Sequence, residues 1–132
     1  MPLINYGRQA LDDKDILKVK QTLKSNFLTQ GPLVEKFEQR LKEKLNSKYC
    51  TVLSSGTAAL HLLSLALGWK KNDIIITTPL SFVATSNCIL YWGAQPVFVD
   101  INVNTGNICT VKLEKKIKQL EKKNKTIKAV IA

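Results

Sequence analysis

The sequence predicts an α/β fold, a mostly parallel sheet with flanking helices, and three observations carry that prediction. From about residue 48 onward, short β-branched runs alternate with segments of helical periodicity, the order that right-handed crossovers and a parallel sheet require. Gly68 and Gly93 fall where helix C-caps belong. At 132 residues, 45% of them hydrophobic, the chain is of single-domain size and rich enough in apolar side chains to bury a core.

Two amphipathic helices come first and make an N-terminal helical arm over residues 1–47. Asp12 and Asp13 are placed to cap a helix in which Ile16, Val19, Leu23 and Phe27 share one side, with Asp15 complementing the positive helix start. The segment "TQGPLVEKFEQRLKEKL" then puts Pro32 at a first helical position, where its missing N–H costs nothing. Leu33, Phe37, Leu41 and Leu45 recur every fourth residue behind it.

Residues 48–132 read as an incomplete domain. Strands are expected at Tyr49 to Leu53, Asp73 to Thr77, Pro96 to Val99 and Thr126 to Ile131. The intervening helices are expected at Thr57 to Leu67, Phe82 to Trp92 and Thr110 to Lys123. "NVNTGN" at 102–107 supplies the turn before the last helix. The last strand is still inside an apolar run at Ala132, with no helix to cover it, so the sequence reads as the front part of something larger.

Composition removes several classes of function. The apolar stretch from Ala58 to Leu67 is interrupted by His61 and Ser64 and is too short to cross a bilayer, and the N-terminus lacks the pattern of a secretory signal. A cytoplasmic protein is the expectation. Cys50, Cys88 and Cys109 are odd in number and widely spaced, matching neither a disulfide framework nor a metal pair. The net charge of +10 raises nucleic acid as a partner, yet many of the lysines lie between Lys112 and Lys128, beside an apolar stripe of Val111, Leu113, Ile117 and Leu120. That is the solvated face of a helix, and no recognition pattern accompanies it.

The stretch "YCTVLSSGTAALHLLSLAL" is the candidate for chemistry. A strand runs into small and hydroxylated residues and then into an apolar helix, and the free N–H groups of a helix start favour an anion. Ser54 or Ser55 can equally be a simple N-cap, contributing about 1 kcal/mol. The glycine spacing fits neither G-x-G-x-x-G nor a P-loop, which leaves a small phosphate ligand. In "IIITTPLSFVATSNCILYWGAQPVFVD", Phe82 stands at a helix entry, either as core or as a platform for a planar heterocycle.

"INYGRQ", "LTQGPLVEKFE", "SSGTAALHL", "TTPLSFVATSN" and "PVFVDIN" occur in the order and spacing of one family, which the chain resembles over almost its whole length. It is the sugar aminotransferase family of the fold type I, pyridoxal-phosphate-dependent enzymes. The similarity is greatest to the branch that installs the 4-amino group on a UDP-linked 6-deoxy N-acetylhexosamine on the way to pseudaminic acid. The resemblance implies the N-terminal portion of a large, cofactor-binding domain, with pyridoxal phosphate as cofactor. It implies a nucleotide-linked keto-sugar and glutamate as substrates, and a homodimer in the complete protein.

Residue by residue, Thr57 and Ala58 match the positions that bind the cofactor phosphate, with Gly56 permitting the approach. Phe82 matches the residue that stacks on the pyridine ring. Tyr6, Thr29 and Gln30 lie in segments that approach the nucleotide-sugar pocket, although Tyr6 can equally pack against the first helix. His61 reads as a core histidine on a buried helix. The family's catalytic lysine and the carboxylate that keeps the pyridine nitrogen protonated are expected beyond Ala132, since no lysine here, nor Asp73 or Asp100, sits in those motifs. Two readings remain beside the transaminase. One is the related dehydratase branch, with histidine in place of that lysine; the other is a truncated binding module using the lysine-rich tail.

Overall fold

A computed structural model describes residues 7–132, so the expectation for Tyr6 lies outside the described residues. The chain divides into two compact units, Met1–Val52 and Leu53–Ala132.

The first unit is built from α1 (Asp13–Leu23) and α2 (Pro32–Leu45). The Asp12 side chain accepts from the Lys14 and Asp15 N–H groups, and Asp15 reaches back to the Asp12 N–H, closing a capping box. Helix α1 stops at Leu23, so Phe27 is not on its face as the periodicity suggested. Phe27 belongs to the turn instead, where Gly31 passes so close that a Cβ there would lie 2.6 Å from the Phe27 Cβ. Helix α2 starts on Pro32 as expected and closes with Asn46 in the left-handed conformation. Neither helix buries a residue.

Tyr49 to Leu53 is not a strand. A strand needs a neighbour for its N–H and C=O groups, and among the described residues none lies beside this segment; the Val52 N–H goes to the Glu38 carboxylate at 2.8 Å. The expectation rested on β-branched composition, which does not supply a partner.

The second unit runs α3 (Gly56–Ala66), β1 (Ile74–Thr77), α4 (Ala84–Leu90), β2 (Gln95–Phe98), α5 (Thr110–Glu121) and β3 (Ile127–Val130). Its three strands form a parallel sheet in the order β2-β1-β3. Four consecutive buried residues, Ile74 to Thr77, mark β1 as central, whereas β2 and β3 bury none of their residues, as edge strands do, and β3 alternates between half-buried and exposed. Ile75 packs with Trp69, Cys88, Ile89 and Ala94, flanked by Leu60, Trp92, Ala129 and Ile131, and this cluster fixes α4 on the sheet.

Helix α3 ends in a Schellman motif: the Gly68 N–H bonds to the Leu65 carbonyl and the Trp69 N–H to the Ser64 carbonyl, with Gly68 at φ +64°. Helix α4 is shorter than the expected Phe82 to Trp92. No side chain caps it; in the loop before it the Leu80 N–H reaches Thr78 Oγ1, and Ser81 bonds to Thr85 in the first turn of the helix. Among the described residues no helix is long and apolar enough to cross a membrane.

Candidate functional site

Helix α3 begins where the sequence placed the anion cradle. Ser55 is the N-cap, and its Oγ accepts from the Ala58 N–H at 3.1 Å. The first helical carbonyl bond is Ala59 N–H to Ser55 at 3.0 Å. The N–H groups of Gly56 and Thr57 therefore precede the ladder and have no carbonyl four residues back to bind. A Cβ at Gly56 would meet nothing within 4 Å, so the backbone there is open to a ligand.

Thr57 lines an open hollow together with Ser55, Ala58, His61 and Tyr91, and Gly56 adjoins it in the chain. Two free N–H groups and the hydroxyls of Ser55 and Thr57 are the donor set that a phosphate dianion takes, and the helix dipole adds to it. The residues present fit a phosphate. Ala58 differs from its expected role in one respect: its N–H is already engaged by Ser55, so it reaches an anion only if that hydroxyl turns away. Ser55 thus enters the site, since a hydroxyl that accepts from Ala58 keeps its own proton free to donate.

The other expected residues divide between the two units. Phe82 lies in the loop after β1, 66% exposed, and is not among the residues lining the hollow. Such exposure removes the alternative that Phe82 belongs to the core of this chain. Thr29 and Gln30 belong to the first unit, in the turn between α1 and α2; Gln30 has φ +51° and borders a separate hollow with Lys18, Phe27 and Leu33.

Within these 132 residues His61 is exposed and does not lie in the core, because α3 is not buried on all sides. Leu62, Leu63, Leu65 and Leu67 are exposed, and Ser64 is the one residue of the helix that is buried. The imidazole instead sits edge-on to Tyr91, with ring centroids 5.0 Å apart, and 5.7 Å from the Trp92 ring. The apolar run concealed this, since its periodicity is satisfied equally by a helix covered all round and by one packed along a single edge. Tyr91 was invisible as a site residue because nothing in its own segment signals the approach of α3.

Charge is sparse around the hollow. The Lys112 ammonium, hydrogen-bonded to Asp100, holds that carboxyl below its usual range, with the Ile101 N–H assisting. Burial pushes the Cys88 thiol up, which suits a packing residue and not a nucleophile.

The chain matches the sequence profile of the DegT/DnrJ/EryC1/StrS aminotransferase family over residues 9–132. Over 115 residues it is 44% identical to the UDP-4-amino-4,6-dideoxy-N-acetyl-beta-L-altrosamine transaminase of Campylobacter jejuni, covering 87% of this chain and 30% of that protein. Helicobacter pylori PseC, an aminotransferase involved in the biosynthesis of pseudoaminic acid, has a solved structure similar at TM-score 0.77 and 39% identity, covering 96% of this chain and 33% of that one. The E. coli GDP-4-keto-6-deoxy-D-mannose-3-dehydratase, solved with bound hydrated PLP, gives TM-score 0.76 and 31% identity over 86% of this chain and 31% of its own. The chain thus spans about a third of the length of these relatives. A parallel sheet with flanking helices, a phosphate-fitting helix start and a family match over residues 9–132 agree: the chain belongs to the DegT/DnrJ/EryC1/StrS aminotransferase family, whose cofactor is pyridoxal phosphate.

Proposed function

We propose that this chain is the N-terminal portion of a nucleotide-sugar aminotransferase and contributes the phosphate anchor of its cofactor site. The observation that supports this best is the start of α3, where Ser55, Thr57 and Ala58 line one open hollow and the N–H groups of Gly56 and Thr57 precede the helical ladder. When bound, pyridoxal phosphate supplies an electron sink for the substrate carbon that exchanges its proton. The work of this chain is to hold the phosphate and, through Phe82, to offer a flat face to the ring. Ala58 takes part once Ser55 releases its N–H.

The substrate in this reading is a UDP-linked 4-keto-6-deoxy-N-acetylhexosamine and the amino donor is glutamate, in a cytoplasmic homodimer. Tyr6, Thr29 and Gln30 belong to the nucleotide-sugar pocket. The 44% identity to the C. jejuni transaminase supports the choice of sugar. The lysine that moves the proton and the carboxylate facing the pyridine nitrogen lie outside these 132 residues, and the chain alone is inactive. The test is to incubate the complete polypeptide with pyridoxal phosphate, glutamate and the keto-sugar nucleotide. Stoichiometric 2-oxoglutarate and 4-amino sugar are expected.

The dehydratase branch is kept as a second reading because a solved dehydratase matches this chain at a comparable TM-score. It predicts that the sugar loses its 3-oxygen and gains no amino group. That product in the same incubation overturns the transaminase.

A further inference from the structure

Two turns along α3 from the cradle sits Ser64, fully buried in a helix whose other residues are exposed or half-buried. Its hydroxyl donates to the His61 carbonyl at 2.6 Å and accepts the Trp92 indole N–H at 2.6 Å. Trp92 follows Tyr91, the C-cap of α4, and the Cys88 and Ile89 of that helix are packed against Ile75 of the central strand. The His61 ring lies against Tyr91 and Trp92 as well. Helix α3 therefore packs along α4, with Leu60 against the core cluster, and one directional hydrogen bond, Trp92 to Ser64, fixes its position inside an aromatic clamp.

We propose that Trp92 is a positioning residue for the phosphate cradle, acting through Ser64; the inference rests on the reading of α3 as the cofactor-phosphate site. Seven residues of helix separate Thr57 from Ser64, about 10 Å at 1.5 Å per residue, so a tilt of about 6° at the clamp moves the cradle by about 1 Å. A hydrogen-bonded donor does not tolerate that displacement. An apolar contact permits sliding and rotation about the helix axis, whereas the indole N–H fixes both by aiming at one lone pair. The Ser64 proton is committed to its own helix, which leaves that lone pair pointing outward for Trp92.

The test uses the complete polypeptide. Trp92→Phe keeps an aromatic ring against His61 and removes the donor together with part of the indole volume; Ser64→Ala removes the acceptor and leaves that volume in place. Each is expected to weaken pyridoxal phosphate binding on the order of tenfold, with the double variant no worse than either single one. Inorganic phosphate, as a competitor, loses potency by the same factor, and pyridoxal without its phosphate loses none. A merely structural role instead lowers the thermal midpoint of the apoprotein and leaves both phosphate affinities of the folded protein unchanged; that result overturns the proposal. Should Trp92→Phe not fold, Ser64→Cys, of similar size with a weaker acceptor, is read in the same assay and is expected to lie between wild type and Ser64→Ala. Equality with wild type then refutes the clamp. Cofactor binding that is lost on Thr57→Val but indifferent to Trp92→Phe defeats this inference alone, whereas wild-type protein that binds no pyridoxal phosphate defeats the reading beneath it.

Discussion

Thr57→Val isolates the anion cradle better than any other substitution in the chain. Valine keeps the branched shape and replaces one hydroxyl by a methyl group. In the structure Thr57 is exposed at the rim of the hollow, and among the described hydrogen bonds none uses its hydroxyl, so the fold loses no bond with it. The N-cap is Ser55, one residue before the helix, and it stays intact. The change in apoprotein stability is accordingly expected to stay within about 0.5 kcal/mol, the range of an ordinary surface substitution.

Against a phosphate the same hydroxyl makes a hydrogen bond to a charged group, with a net contribution of about 1.5–3 kcal/mol. Converted at about 1.4 kcal/mol per factor of ten, the dissociation constant of pyridoxal phosphate should rise roughly 10- to 150-fold. The assay is equilibrium dialysis of the cofactor against the complete polypeptide, paired with a thermal melt of the apoprotein. Unchanged affinity, or a loss of affinity that only tracks a loss of stability, refutes the assignment of α3 as the phosphate site.

Phe82→Leu should weaken the cofactor by about 1 kcal/mol, roughly fivefold, because the flat face is lost while apolarity is kept; with Phe82 66% exposed, the thermal midpoint should not move. Asp100 should titrate below an ordinary aspartate because Lys112 and then the Ile101 N–H hold its charged form. A depressed folded-state pKa means that this contribution to stability is present above the unfolded pKa of about 3.9 and is lost as pH falls through the folded value. Lys112→Gln should raise the NMR titration midpoint of the Asp100 carboxyl, and an unmoved midpoint refutes the pairing. The 132-residue polypeptide expressed alone should aggregate or melt without cooperativity, since Ile16, Leu23, Leu33, Phe37 and Leu65 all stand more than half exposed. A soluble monomer with a single sharp transition contradicts that.

Much of this architecture was legible because its signals are local. The capping box of Asp12 and Asp15, Pro32 at the first turn of α2, and Gly68 at positive φ each act within a few residues of where they stand in the chain. The start of α3 was legible for the same reason. What the sequence concealed depends on partners far along the chain. Tyr49 to Leu53 has strand composition and, among the described residues, no strand beside it. Phe82 and Val83 precede the first turn of α4, to which their carbonyls and the Ser81 hydroxyl bond, yet are not part of the helix. The exposure of α3 followed from where α4 touches it, and the Ser64 to Trp92 bond spans 28 residues, beyond the reach of any periodicity. Ser55 was visible as an N-cap, but its place in the hollow emerged only with the lining residues assembled.

The most direct measurement is a crystal structure of the complete polypeptide with pyridoxal phosphate bound. The account predicts the phosphate at the start of α3, its oxygens about 2.7–3.2 Å from the Gly56 and Thr57 nitrogens and within hydrogen-bond reach of the Ser55 and Thr57 hydroxyls. The pyridine ring is predicted to lie on the face of Phe82. A cofactor phosphate held elsewhere, with the N–H groups of Gly56 and Thr57 facing only water, contradicts the account at its centre.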